Sequence, residues 1–226
     1  MGSKNAPGII CAFLVLSLQA AARAHDNWIT ADNYFPRPGR QVTLSIASGH
    51  SFPESGDLIS ESLLEGILVT RPDGVKELLE VFPDGAKNVL RASLNISSTG
   101  TYTAYYELRR PQVSEPIASG SLVLISGGIC SGDRKETGGV RIVSLDDISG
   151  ARPGSNLRFA ILQDGESTGG VLSVTPENAR SYRMRARPNR PARIMAESGM
   201  HLIVTSEGGR RHSFTFFVPG GENDED

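Results

Sequence analysis

Few side chains in this sequence can do chemistry, and they are scattered. There are four histidines, His25, His50, His201 and His212, and two cysteines, Cys11 and Cys130. No His-x-x-x-His or Cys-x-x-Cys pair collects metal ligands on one turn of chain, so local spacing writes no zinc motif. Position along the chain singles out His25 instead. Ahead of it stand a positive charge at Lys4, an apolar run over 9–16 and the small-x-small triplet Ala22-Arg23-Ala24, the pattern that signal peptidases cut. Cys11 sits inside the apolar run without the small residues that precede a lipoprotein cysteine. Cleavage after Ala24 makes His25 the first residue of the mature chain. Its free α-amine and its imidazole Nδ1 can then close a six-membered chelate ring on one metal ion, both giving up their protons to a divalent metal near neutral pH. One residue supplies two ligands.

His50 is the natural partner. It follows an alternating segment at 41–47 through Ser48-Gly49, a short exit from which a side chain projects off the end of a sheet, where loops carry binding groups. The sequel Ser51-Phe52-Pro53-Glu54-Ser55-Gly56-Asp57 is loop-like and brings carboxylates. An edge strand starting at Asp26 beside the 41–47 strand would bring His25 up to His50, so that three nitrogens meet. Such a set suits Ni²⁺, Co²⁺, Cu²⁺ or Zn²⁺ rather than the oxygen-seeking Ca²⁺ or Mg²⁺. In affinity alone Cu²⁺ leads by the Irving–Williams order whatever the physiological cargo.

The elements that must hold this pair in place are strands. Val42, Leu44 and Ile46 alternate with Gln41, Thr43 and Ser45, and a similar half-buried run covers 89–96. Further strands are expected at 66–70, 101–108, 121–125, 140–144, 156–162, 170–175, 200–205 and 213–218, with about two helical turns over 58–64. Turn sequences separate them, among them Pro72-Asp73-Gly74, Arg152-Pro153-Gly154, Gln163-Asp164-Gly165 and Glu207-Gly208-Gly209. Many short strands with this punctuation predict an all-β fold of two immunoglobulin-like β-sandwich domains in tandem. The expected divisions are a signal peptide at 1–24, a first sandwich with the metal site at 25–126, a linker at 127–139, a second sandwich at 140–219 and an acidic tail at 220–226. The linker assignment rests on five glycines and four charges in thirteen residues.

Removing residues 1–24 leaves 202 residues, with 21 basic against 25 acidic side chains and a net charge of −4, a balance that gives no reason to expect a nucleic-acid partner. No later segment is continuously apolar over the roughly 20 residues that a membrane span needs, so the mature chain is expected to be periplasmic or secreted. Cys130 is then its only cysteine, which leaves no intramolecular disulfide.

The mature start His25-Asp26-Asn27-Trp28-Ile29, the loop Gly49-His50-Ser51-Phe52-Pro53-Glu54 and the later stretches Val140-Arg141-Ile142-Val143-Ser144-Leu145, Arg152-Pro153-Gly154 and Gln163-Asp164-Gly165 together resemble an uncharacterised bacterial family associated with nickel or cobalt uptake. The resemblance runs over almost the whole mature chain. It implies a secreted two-part β protein that binds Ni²⁺ or Co²⁺ in the periplasm and hands it to a membrane transporter, with His25 and His50 at the ligand positions and no catalytic role. The chain departs from that pattern in its glycine-rich, charged linker and in the basic stretch Ser181-Tyr182-Arg183-Met184-Arg185-Ala186-Arg187.

Two other classes of function compete. A copper enzyme that cleaves polysaccharide oxidatively could use the same three nitrogens as a histidine brace, but needs a flat aromatic surface, and aromatics are 6% of the chain. A metal-free adhesion or assembly module would leave the placement of His25 and His50 to chance. His201 and His212 each fall at the start of an expected strand and are read as structural, outside the site. The arginines at 180, 183, 185, 187, 190 and 193 are read as one solvated strand face, with an anionic partner as the lesser reading.

Overall fold

Alternation of apolar and polar residues becomes three layers of strands, antiparallel at every pairing but one, in a computed structural model, which describes residues 25–111, 116–127 and 139–220. The signal segment, Cys130, nearly all of the linker and nearly all of the acidic tail lie outside the described residues.

The first layer orders β1 (Asp26–Ala31), β2 (Gln41–Gly49), β6 (Val89–Asn95) and β5 (Phe82–Asp84) as β1-β2-β6-β5. The middle layer is a sheet of eight strands. One half contains β8 (Ala118–Ser126), β7 (Gly100–Leu108), β3 (Ile67–Thr70) and β4 (Lys76–Leu79), and the other contains β13 (Tyr182–Ala186), β12 (Gly170–Pro176), β15 (Gly199–Glu207) and β16 (Arg210–Val218). They run β13-β12-β15-β16-β8-β7-β3-β4. In the third layer β10 (Asn156–Gln163) pairs with β9 (Val140–Ser144), β11 (Glu166–Thr168) and β14 (Ala192–Met195). The architecture is all-β, two immunoglobulin-like sandwiches that share their middle sheet. The helical expectation over 58–64 is corrected: the chain makes a single 3₁₀ turn at Glu61–Leu63, bounded on both sides by extended backbone at Ser60 and Leu64, and Ile59 and Leu64 reach the core from outside that turn.

The sharing is visible in β8. Because successive strand residues point to opposite faces, Leu122 and Leu124 enter one core with Val42, Leu44, Ile46 and Tyr102, while Val123 and Ile125 enter the other with Phe159, Phe214 and Phe216. The join is the parallel pairing of β16 with β8, in which Arg211 to Thr215 lie opposite Ala118 to Leu122. At the seam Gly120 has no room for a side chain. A Cβ there would come within 2.3 Å of the Ser213 hydroxyl and 2.5 Å of the Tyr106 ring. Full burial of each of the three phenylalanines contributes roughly 1.5–3 kcal/mol.

A third, smaller cluster sets the place of the N-terminal strand. Trp28, 1% exposed, packs with Ala47 and Val89 of the first layer and with Leu202 and Val204 of β15, while Phe52 meets the indole edge-on at 5.6 Å. Its neighbour Ile29 faces the first core. Thus β1 is bound on two sides, and Asp26 adds an ion pair to Arg211 of β16. The strand that carries His25 is fixed to both halves of the molecule.

Candidate metal site

The register of β1 on β2 decides where the two histidines meet. Asp26 lies opposite Gly49, Trp28 opposite Ala47 and Ile29 opposite Ile46, so one step beyond the last pair puts His25 beside His50. Their rings lie edge to face with centroids 4.3 Å apart, both side chains on the surface. A slip of one residue would turn Ile29 out of the core and separate the pair. The hydrophobic pattern of the strand thereby also specifies the site.

The segment after His50 then turns back. Glu54 N–H donates to the Ser51 carbonyl at 2.8 Å, and the N–H groups of Gly56 and Asp57 both donate to the Ser48 carbonyl, at 2.8 and 3.2 Å. The Ser55 hydroxyl accepts the Ser48 N–H at 3.2 Å and donates to the Asn88 carbonyl at 2.6 Å, which fastens the loop to the chain just ahead of β6. Gly49 allows this closure, since a Cβ at that position would stand 2.9 Å from the Gly56 nitrogen. The outcome is that Asp57 returns to the end of β1, its Oδ2 2.9 Å from His25 Nδ1, with the two side chains 59% and 43% exposed.

Three groups with metal-ligand chemistry are thus neighbours at one strand end. Donors that each sit about 2.0–2.1 Å from one ion at right angles or tetrahedral angles are themselves about 2.9–3.4 Å apart. The His25–Asp57 separation fits two ligands of a common ion as well as it fits a hydrogen bond. Side chains alone do not close the set: among the described residues no group of three or more His, Cys, Asp and Glu is arranged to hold a metal ion. The α-amine of His25 is a further donor that side chains do not count, and it exists only when residue 24 has been removed.

His201 and His212 are occupied elsewhere. His201 is fully buried, stacked on Phe216 at 4.7 Å, with Nδ1 3.2 Å from the Gly199 carbonyl and Nε2 accepting the Glu197 N–H at 3.1 Å. Both nitrogens are used, in the tautomer protonated at Nδ1. Burial lowers its pKa, against the backbone bond to Gly199 and the charges of Glu197 and Glu177. His212 is buried too, Nδ1 2.8 Å from the Ser119 hydroxyl, and burial followed by the charge of Arg210 lowers its pKa. The arginines do share a face in part: Arg183 and Arg185 are exposed on alternate positions of β13, an edge of the middle sheet.

Clefts open on either side of the pair. One, of about 330 Å³, is bounded by His50, Trp28 and Phe52 on one wall and by Ser173, Thr175 and Arg183 on the other. The second, of about 420 Å³, runs from His25 and Asn27 to Arg110, Arg210 and Arg211. Asp57 is absent from the pair foreseen in the sequence, where it is one of the two carboxylates of the 51–57 loop. Nothing in the spacing said that the loop returns to Ser48.

No family model matches the chain, and no curated protein matches it either. Among solved structures it is similar to the Escherichia coli adhesin FdeC, at 11% identity over 86% of this chain and 65% of that one, with a TM-score of 0.30. It is also similar to the fibronectin(III)-like modules of Clostridium thermocellum CbhA, at 12% identity over 88% and 97% of the two chains, with a TM-score of 0.26. A third similarity is to the ectodomain of mouse nectin-like molecule 4, at 10% identity over 90% and 67%, with a TM-score of 0.25. The chain spans less than two thirds of the length of the adhesin. Among the described residues no helix is long and apolar enough to cross a membrane.

Proposed function

We propose that this chain, once cut after Ala24, is a periplasmic or secreted protein that binds Ni²⁺ or Co²⁺ and delivers it to a membrane uptake transporter. The ligands are the α-amine and Nδ1 of His25, the imidazole of His50 and the carboxylate of Asp57. The observation that carries the reading is the antiparallel register that sets the His25 and His50 rings 4.3 Å apart at the end of a strand anchored by Trp28. The residues fit such an ion: three nitrogens and one oxygen suit a borderline divalent metal, and the site is exposed enough to exchange its cargo.

Binding is favoured over oxidative catalysis by the surroundings. Among the described residues the exposed large apolar side chains include one aromatic, Phe82, and it lies on β5, at the far edge of the layer from β1. The aromatics in the cleft beside His50 are Trp28, which is buried, and Phe52 and Tyr182, which are half-buried, so among the described residues no broad exposed aromatic face stands by the pair for a polysaccharide to lie on. Titration of Ni²⁺ and Co²⁺ into the chain starting at His25, and into its His50→Ala variant, tests the reading. Equal affinity in the two would remove His50 from the site, and no binding by either would end the proposal.

A further inference from the structure

The surroundings of the pair are basic, which is unexpected next to a cation site. Arg183 lines the 330 Å³ cleft together with His50, is exposed, and makes no ion pair with a described residue. The carboxylate on that cleft, Asp26, is already paired with Arg211. On the other side of His25 the 420 Å³ cleft brings the exposed Arg110, together with Arg210 and the Arg211 that already pairs with Asp26. A bare divalent ion arriving here would meet guanidinium charge with little carboxylate to offset it, since Asp57 supplies one negative charge against the two positive charges of the metal. An anion that arrives with the metal removes the conflict.

We infer that the cleft between His50 and Arg183 takes a small polycarboxylate chelator, bound to the protein through the metal, so that the cargo is a metal–carboxylate complex rather than the free ion. This rests on the metal reading above. His25, His50 and Asp57 provide at most four donors, which leaves positions on a six-coordinate Ni²⁺ or Co²⁺ for chelator oxygens. A carboxylate reaching past His50 meets the Arg183 fork, the side chain best matched to it. Hydroxyls follow along the same wall: Ser173 and Thr175 line the cleft, and Thr175 is hydrogen-bonded to Ser181 at 3.0 Å. The volume, near the lower end of small-molecule pockets, suits a tricarboxylate. Trp28 and Phe52 close the apolar side. Because the cleft is walled by β1 and β2 on one side and by β12 and β13 on the other, the bound complex would touch both halves of the molecule.

Equilibrium dialysis of the mature chain with radiolabelled citrate, Ni²⁺, or both at equal concentration tests this. The expected result is citrate retained with Ni²⁺, one per metal, and not without it. Arg183→Gln should bind Ni²⁺ alone as the wild type does, yet lose citrate retention about ten-fold or more, while Arg110→Gln keeps it. Wild-type protein that takes Ni²⁺ and leaves citrate in solution overturns this inference and spares the metal reading, as does Arg183→Gln retaining citrate fully. Protein that takes neither Ni²⁺ nor the complex overturns both.

Discussion

Gly49→Ala perturbs the site without touching any proposed ligand. The added methyl would sit 2.9 Å from the Gly56 backbone nitrogen, against roughly 3.4 Å or more in ordinary contact, and its neighbour is main chain that no side-chain rotation can move. The loop has to retreat by about half an ångström or more, and the bonds it strains are those from the Gly56 and Asp57 N–H groups to the Ser48 carbonyl, 2.8 and 3.2 Å long. Weakening them costs about 1–2 kcal/mol, which in a chain of this size lowers Tm by about 2–8 °C. The same retreat draws Asp57 away from His25 and shifts His50, and supports of this kind change metal affinity about 10- to 100-fold. Differential scanning calorimetry without metal and a Ni²⁺ titration at neutral pH read the two effects separately. A variant with wild-type Tm and wild-type affinity would refute the claim that closure of the 49–57 loop builds the site.

Three further outcomes follow from the same structure. Asp57→Asn should weaken Ni²⁺ binding about ten-fold or more with little change in Tm, and unchanged affinity in a calorimetric titration would exclude the carboxylate as a ligand. Trp28→Ala, which empties the cluster tying β1 to β15, should cost about 3–5 kcal/mol in a urea melt. Trp28→Phe should cost clearly less, because the indole N–H makes no hydrogen bond with a described residue; equal losses would contradict that. His201 and His212 are held neutral by burial, so their contribution to stability is fully present above the unfolded imidazole value of about 6.5 and is lost as pH falls through and below it. Asp146, held below the usual carboxylate range chiefly by its hydrogen bond to Arg158, gives way only at lower pH, below about 4. Thermal melts from pH 7.5 to 5 should therefore fall less steeply in His201→Gln than in the wild type, and parallel curves would contradict the assignment.

The strands that pattern revealed are those with one face buried and one exposed, such as β2, where Val42, Leu44 and Ile46 are fully covered while Gln41, Thr43 and Ser45 are not. The strands it passed over carry little apolar signal. β5 is three residues with none fully buried, and β11 likewise. The shared middle sheet was beyond reach for a different reason. Pairing β16 with β8 joins residues about 93 apart in sequence, and nothing in either strand names its partner. The four exposed or buried fates of the histidines divide in the same way. His25 and His50 could be paired on paper because a strand start and a strand end are adjacent in an antiparallel hairpin. His201 lies on a buried face shared with Phe216, a placement that needs the sheet order. Asp57 required the loop closure at Ser48, which depends on single backbone contacts rather than on any period.

The central claim is that the metal site begins with the amine of His25, and one pair of titrations tests it most directly. Mature protein whose first residue is confirmed as His25 by mass spectrometry is compared with protein carrying one extra alanine before it, both titrated with Ni²⁺ in the same buffer. The extension leaves every side chain in place and turns the amine into a peptide nitrogen. The account predicts that affinity falls by at least ten-fold while Tm without metal stays the same; equal affinity in the two proteins would contradict it.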